Sequence, residues 1–241
     1  MSGILGVIPA RLNSTRLERK LLLKLMGKPI IQWAYEGAKE SRLLSRLVVA
    51  TDAEEIKDAC KNFGADVFLT PSNFNSGTER VAYISSLFPE YEFVINIQGD
   101  EPLIRGHLID TLVESLINPP YPEISTLAEV VESEDEIKSP DKVKVVLRSD
   151  GFAIYFSRLP IPFGNGKKLK HIGVYGYTRE ALQKFSSLPP SELEKSEKLE
   201  QLRAIQAGIR IFVRVLPKPS GLISLDTEKD YQLLKERFGE V

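Results

Sequence analysis

The sequence predicts an α/β protein with a mostly parallel central sheet and helices on both faces, joined to a strand-rich insertion. Three observations lead there. The first half alternates short apolar runs with helical stretches in the order β–α–β–α–β–α–β–α. The runs are apolar almost throughout, as strands buried on both faces are. Beyond Pro119, Pro120 and Pro122, strand-like runs follow one another with few helices between them.

Residues 4–9 are an apolar run ending at Pro9 and read as a buried parallel strand. A polar loop follows over 10–20, carrying Arg11, Arg16, Arg19 and Lys20. Pro29 marks a helix start, and Ile30, Ile31, Ala34, Tyr35 and Ala38 recur at helical spacing after it. Residues 46–51 form the second strand, and Asp52 is expected to cap a helix over 53–63. A third strand at 66–70, a helix at 78–88, a fourth strand at 93–97 and a helix at 106–117 complete the first half. In the second half, 124–131, 143–147, 152–156 and 172–177 read as strands. Residues 196–207 read as a helix, 211–216 as a strand, and 227–238 as a closing helix with Asp226 or Thr227 near its cap. The expected organisation is a core of 1–118 and 209–241 with a partly antiparallel insertion at 119–208.

Composition narrows the function. The 241 residues are 42% hydrophobic and 27% charged, an ordinary globular balance. With 32 basic and 33 acidic residues the net charge is −1, which argues against a nucleic-acid-coating protein. Cys60 is the only cysteine, so an internal disulfide and a cysteine-based zinc site are both excluded. His107 and His171 are too few for a histidine cluster, leaving a hard ion on carboxylates as the metal this chain can hold. No run approaches ~18 apolar residues, and the first residues lack the basic opening of a secretory signal. A reducing cytoplasmic setting is the expectation. The acidic run 129–136 is expected to be a solvated face.

In an open parallel sheet, ligands bind at the carboxyl ends of the strands. Those ends fall at 9–20, 51–52, 70–80 and 98–105, where the chemistry-bearing residues of the first half lie. The basic loop after the first strand suits a polyphosphate, with Arg as a planar fork and Lys as a mobile charge. It has neither the Walker spacing nor a dinucleotide-binding glycine turn. Gln98-Gly99-Asp100-Glu101-Pro102 combines a turn glycine with an acid able to hold Mg²⁺ against phosphates. Read alone, that segment is also an ordinary turn, and Leu225-Asp226-Thr227 an ordinary helix cap.

Taken together, residues 1–16, Ser76-Gly77-Thr78-Glu79-Arg80, Asn96 to Pro102, His171-Ile172-Gly173-Val174-Tyr175-Gly176-Tyr177 and Glu197 to Arg203 resemble the 3-deoxy-manno-octulosonate cytidylyltransferases, or CMP-Kdo synthetases. The resemblance spans nearly the whole chain. It implies a nucleotidyltransferase-type, Rossmann-like fold and the Mg²⁺-dependent reaction of CTP with Kdo to give CMP-Kdo and pyrophosphate for lipopolysaccharide biosynthesis. It implies catalytic roles for Arg11, Lys20, Asp100 and Asp226, with both aspartates on the metal. On the nucleotide side it implies Pro9, Ala10, Arg11, Ser14, Arg16, Lys20, Thr51, Asp52, Ser76, Thr78, Arg80 and Gln98. Around the sugar acid it implies Gln98, Arg158, His171, Tyr175, Glu200 and Gln201, with Arg158 first in line for the carboxylate. The family usually has Pro-Gly-Lys-Pro at the end of the first loop; this chain has Glu18-Arg19-Lys20-Leu21, so Arg19 can share the lysine's work. A homodimer is also implied. The alternatives are a cytidylyltransferase for another sugar acid, such as sialic acid, and a non-catalytic nucleotide-binding module on the same fold.

Overall fold

The computed structural model describes residues 3–12, 16–164 and 166–240, and divides into two units, 1–110 with 221–241 and 111–220. Ser14, expected on the nucleotide side, lies outside the described residues.

The first unit opens with β1 (Gly3–Ala10), a 3-10 turn at Lys20–Leu22 and a short hairpin of β2 (Lys24–Leu25) and β3 (Lys28–Pro29). It continues through α1 (Ile30–Lys39), β4 (Arg46–Thr51), α2 (Glu54–Asn62), β5 (Val67–Leu69), α3 (Gly77–Leu87), β6 (Tyr91–Asn96) and into α4 (Gly106–Ile117). Strand β1 pairs in parallel with both β4 and β6, and β4 with β5, giving the order β6-β1-β4-β5. Leu5, Val7, Ile8, Val48, Val49, Val94 and Ile95 are all buried, as a sheet covered on two faces requires. The chain steps from β1 to β4 to β5, then returns through α3 to β6 on the other side of β1. Where the winding reverses, the carboxyl ends of β1 and β6 part and leave a crevice. Two glycines let backbones meet: a Cβ on Gly37 would lie 2.0 Å from the Ile104 carbonyl oxygen, and one on Gly106 2.3 Å from the Glu40 carbonyl carbon. After the second unit the chain returns with α9 (Glu228–Phe238), whose Leu234 packs with Leu25, Ile30 and Leu225.

The second unit holds β7 (Ile124–Val131), α5 (Glu134–Lys138), β8 (Lys144–Leu147), β9 (Ala153–Ser157) and β10 (Lys168–Thr178). Helices α6 (Arg179–Ser187), α7 (Glu192–Glu197), α8 (Gln201–Gln206) and strand β11 (Ile211–Val215) complete it. β10 runs antiparallel to β7 and β8, β8 antiparallel to β9, and β11 parallel to β7. Because β11 joins β7, residues 209–220 group with this unit, and its limits are 111 and 220 where the sequence suggests 119 and 208. The expected helix over 196–207 is two helices, broken where Lys198 turns left-handed at φ 54°. Helix α6, which sequence reading passes over, is capped by Thr178 and buries Ala181, Leu182 and Phe185.

The acidic run 129–136 is not a uniform solvated face. Glu129 is buried, pairs with Lys170 at 2.8 Å and accepts the Ser220 amide at 2.5 Å. The fully buried Lys144 donates to the carbonyls of Ser139, Lys142 and Arg158, so all three of its protons are used in tying the segment before β8 to the residue that follows β9. Among the described residues, no helix is long and apolar enough to cross a membrane.

Candidate active site

At the crevice between the ends of β1 and β6 the first unit holds a cavity of about 310 Å³. Pro9, Ala10 and Arg11 reach it from β1, Gln98, Gly99 and Asp100 from β6, Ser76, Gly77 and Arg80 from the start of α3, and Lys20 and Leu21 from the 3-10 turn. Gly99 sits close against Ile8 and Leu21: an added Cβ would lie 3.3 Å and 3.5 Å from their side chains. Phe74 and Asn75 also line the cavity; no motif in the sequence singles them out.

The lysine and the two aspartates meet here. Lys20 Nζ lies 2.5 Å from Asp100 Oδ2 and 2.9 Å from Asp226 Oδ1, and Arg16 Nη2 lies 2.8 Å from the same Asp226 oxygen. Burial opposes the charge on Lys20, yet the Asp100 carboxylate, aided by Asp226, holds its pKa above the ordinary value. Asp226 comes from the far end of the chain and is placed by the backbone: the Leu225 amide donates to the Asp100 carbonyl at 2.9 Å. It is not the helix cap. Thr227 caps α9 in a reciprocal box with Asp230, leaving the Asp226 carboxylate directed at Lys20.

The start of α3 is the second cationic feature. Ser76 caps the helix by accepting the Glu79 amide, and the helix opens toward the cavity with its amide dipoles. Arg80, only 4% exposed, is held by Asp52 at 2.8 Å and by the Thr70 hydroxyl. Asp52 therefore does not cap α2, as its position in the sequence suggests; Ala53 is the cap residue, and its amide donates to Thr51 Oγ1 at 3.2 Å. Thr51, Asp52 and Thr78 do not line the cavity; Asp52 supports Arg80 from behind, and Thr78 is buried in the first turn of α3.

The residues expected around a sugar acid divide. Gln98 belongs to the first unit, where its amide donates to Asn96 Oδ1 at 3.2 Å. Arg158, His171, Tyr175, Glu200 and Gln201 belong to the second. Tyr175, Glu200 and Gln201 line one small cavity of about 40 Å³ with Tyr177 and Phe185. Two extra residues of β10, Gly173 and Val174, bulge between the pairs Ile172–Leu127 and Tyr175–Thr126, re-aiming the side chains on either side. His171 is flanked by the rings of Phe156 and Tyr175, at 5.2 and 5.3 Å, and this loss of hydration pushes its pKa down to about 3. Thr126 Oγ1 donates to the Val174 carbonyl at 2.7 Å and so accepts from His171 Nε2 at 3.0 Å. The lowered pKa keeps the imidazole neutral, and with its proton on Nε2 for Thr126, Nδ1 is left as an acceptor. Arg158 is engaged by carbonyls: Glu197 at 2.9 Å, Pro140 at 2.9 Å and Lys198 at 3.2 Å.

The arrangement suits an anionic, phosphate-bearing ligand. It also fits a hard divalent cation: two carboxylates already share one cation, and oxygen is their only donor type. Among the described residues no cluster offers three or more His, Cys, Asp or Glu, so phosphate and water oxygens would supply the other ligands.

Comparison with known proteins bears on this geometry. The sequence model of the cytidylyltransferase family matches residues 5–211. A 3-deoxy-manno-octulosonate cytidylyltransferase of Bdellovibrio bacteriovorus is 42% identical over 243 residues, covering 97% of this chain and 96% of the relative. One from Leptospira interrogans serogroup Icterohaemorrhagiae serovar Lai is 43% identical, covering 99% and 97%. A solved CMP:2-keto-3-deoxy-manno-octonic acid synthetase, complexed with CTP, superimposes with a TM-score of 0.91 at 36% identity, covering 99% of both chains.

Proposed function

The chain belongs to the cytidylyltransferase family, among the 3-deoxy-manno-octulosonate (Kdo) cytidylyltransferases, and from that premise we propose how its residues carry the transfer of CMP from CTP to Kdo. The enzyme is a nucleotidyltransferase. The anomeric hydroxyl of Kdo attacks the α-phosphorus in line, the bond from that phosphorus to the bridging oxygen breaks, and pyrophosphate leaves. Positioning and charge neutralisation do most of the work in such a transfer.

The observation that carries the assignment of roles is the convergence of Lys20, Asp100 and Asp226 beside the cavity at the β1/β6 crevice. In this reading CTP takes that cavity. Arg11, Arg16 and Lys20 neutralise the triphosphate, and the start of α3 with Arg80 supplies amide donors and a fixed cation. Asp100 and Asp226 would hold Mg²⁺, which when bound neutralises phosphate charge and acidifies the attacking hydroxyl. On the sugar side, His171 Nδ1 accepts from a hydroxyl, while Tyr175, Glu200 and Gln201 offer further polar contacts. Arg158, held by three carbonyls, serves the sugar acid by shaping the loop around Lys198, and its two N–H groups without a partner among the described residues can reach the carboxylate. We assign the product to lipopolysaccharide biosynthesis in the cytoplasm and the active species to a homodimer. Supporting the dimer, β9 pairs only with β8 among the named strands, and Ile154, Leu159 and Phe163 are exposed nearby in sequence.

Pyrophosphate release from CTP tests the activity, crossed against Kdo, sialic acid and hexose phosphates. Release is expected with Kdo alone. Equal rates with sialic acid would overturn the substrate, and no release with any acceptor would overturn the transfer.

A further inference from the structure

We propose that the Arg19–Glu55 ion pair is a positioning device for Lys20, anchoring to helix α2 the turn that carries the lysine. Arg19 adopts the left-handed conformation, φ 55° and ψ 26°, which disfavours a residue with a side chain. Its carbonyl accepts the Leu22 amide at 2.8 Å and closes the 3-10 turn. On one side of Lys20 the turn is fixed by Leu21, which is 5% exposed and packs against Gly99. On the other side Arg19 Nη2 is paired with Glu55 Oε1 in the first turn of α2, against which the 3-10 turn packs. The Arg19 guanidinium is thereby directed to α2 and not to Asp100 or Asp226. Both partners are about half exposed, so the pair itself is a weak, salt-screened contact. A weak contact matters here because misplacing a catalytic group by about 1 Å can cost on the order of 10²-fold in rate.

The inference rests on the assignment of Lys20 to the triphosphate. It differs from a role for Arg19 as a second phosphate cation, and a double-mutant cycle separates the two. Arg19→Gln and Glu55→Gln are each expected to lower kcat by roughly three- to tenfold, leaving the KM for Kdo unchanged. The double variant is expected to be no worse than the worse single. Independently of activity, Glu55→Gln retains every basic residue, and trypsin should cut it after residues 16–20 faster than it cuts the unaltered protein. Wild-type kcat in Glu55→Gln with a slow Arg19→Gln would overturn the proposal and make Arg19 a phosphate contact. Additive losses, or unchanged cleavage by trypsin, would overturn it as well. Should Lys20→Ala prove harmless, the assignment of Lys20 fails; faster cleavage of Glu55→Gln would still establish that the pair holds the turn.

Discussion

In the proposed reading the first unit's chemistry turns on Lys20, the cation shared by two carboxylates that would otherwise repel each other. Its loss should act in two ways. Turnover of Lys20→Ala is expected to fall by ~10²–10³, the usual loss for one positioned charge-stabilising group in such a site. Asp100, no longer neutralised, and Asp226, left with Arg16 as its cation, should then take up Mg²⁺ more readily without nucleotide. The thermal midpoint of Lys20→Ala should therefore rise with added Mg²⁺ more than that of the unaltered protein. A variant with normal turnover, or with the same Mg²⁺ response, would remove Lys20 from this role. His171 gives a second test at this scale. The imidazole titrates near 6.5 in an unfolded chain but is pushed down to about 3 in the fold. Between those values the unfolded chain binds a proton that the folded chain refuses, so this residue's contribution is full above pH 6.5 and is lost as pH falls toward 3. The drop in urea midpoint from pH 7.5 to 4.5 should thus be smaller in His171→Gln than in the unaltered protein. Equal drops would mean that the ring titrates normally.

At the scale of elements, α1 and the segment leading into α4 approach at backbone contact. Gly37→Ala would drive a methyl into the Ile104 carbonyl, and a cost of ~1–3 kcal/mol is expected from urea unfolding. A change below ~0.5 kcal/mol would mean that the contact relaxes freely. Elements of this kind were legible in the sequence where burial alone dictates them. The strand at 46–51, the helix at 106–117 and the strand at 124–131 appear with the bounds that their apolar patterns suggest. What escaped depends on partners far along the chain. Asp52 stands where a cap belongs, but Arg80, 28 residues on, holds its carboxylate. Glu129 looks like part of an acidic surface until Lys170 is brought to it across two strands. The break at Lys198 has no glycine to announce it. The candidate site shows the same division: the resemblance named Lys20, Asp100 and Asp226, and the Leu225–Asp100 backbone bond accounts for the two aspartates meeting at the lysine. Arg158 has the right charge for a carboxylate, yet three carbonyls distant in sequence, those of Pro140, Glu197 and Lys198, hold it.

For the whole molecule, the strand-rich second unit bears on assembly. Phe163 is fully exposed, Leu159 68% and Ile154 53%, more apolar surface than one short stretch of a monomer usually leaves in water. Sedimentation equilibrium is expected to give a mass near twice 27.0 kDa, and Phe163→Asp to shift the distribution toward monomer. A monomer of full activity at micromolar concentration would exclude the dimer.

The discontinuity of the first unit also has a bearing on how the protein is made. Lys20 leaves the ribosome before Asp100, but Asp226 and the α9 residue Leu234 follow only when all of 111–220 has been translated. At about 5–20 residues per second, the lysine waits several seconds with one carboxylate partner and with Leu25 and Ile30 uncovered. During that interval the nascent chain carries a half-built charge cluster and an open apolar seam; the segment before α9 then supplies the missing acid, Asp226, and α9 itself the missing cover, Leu234.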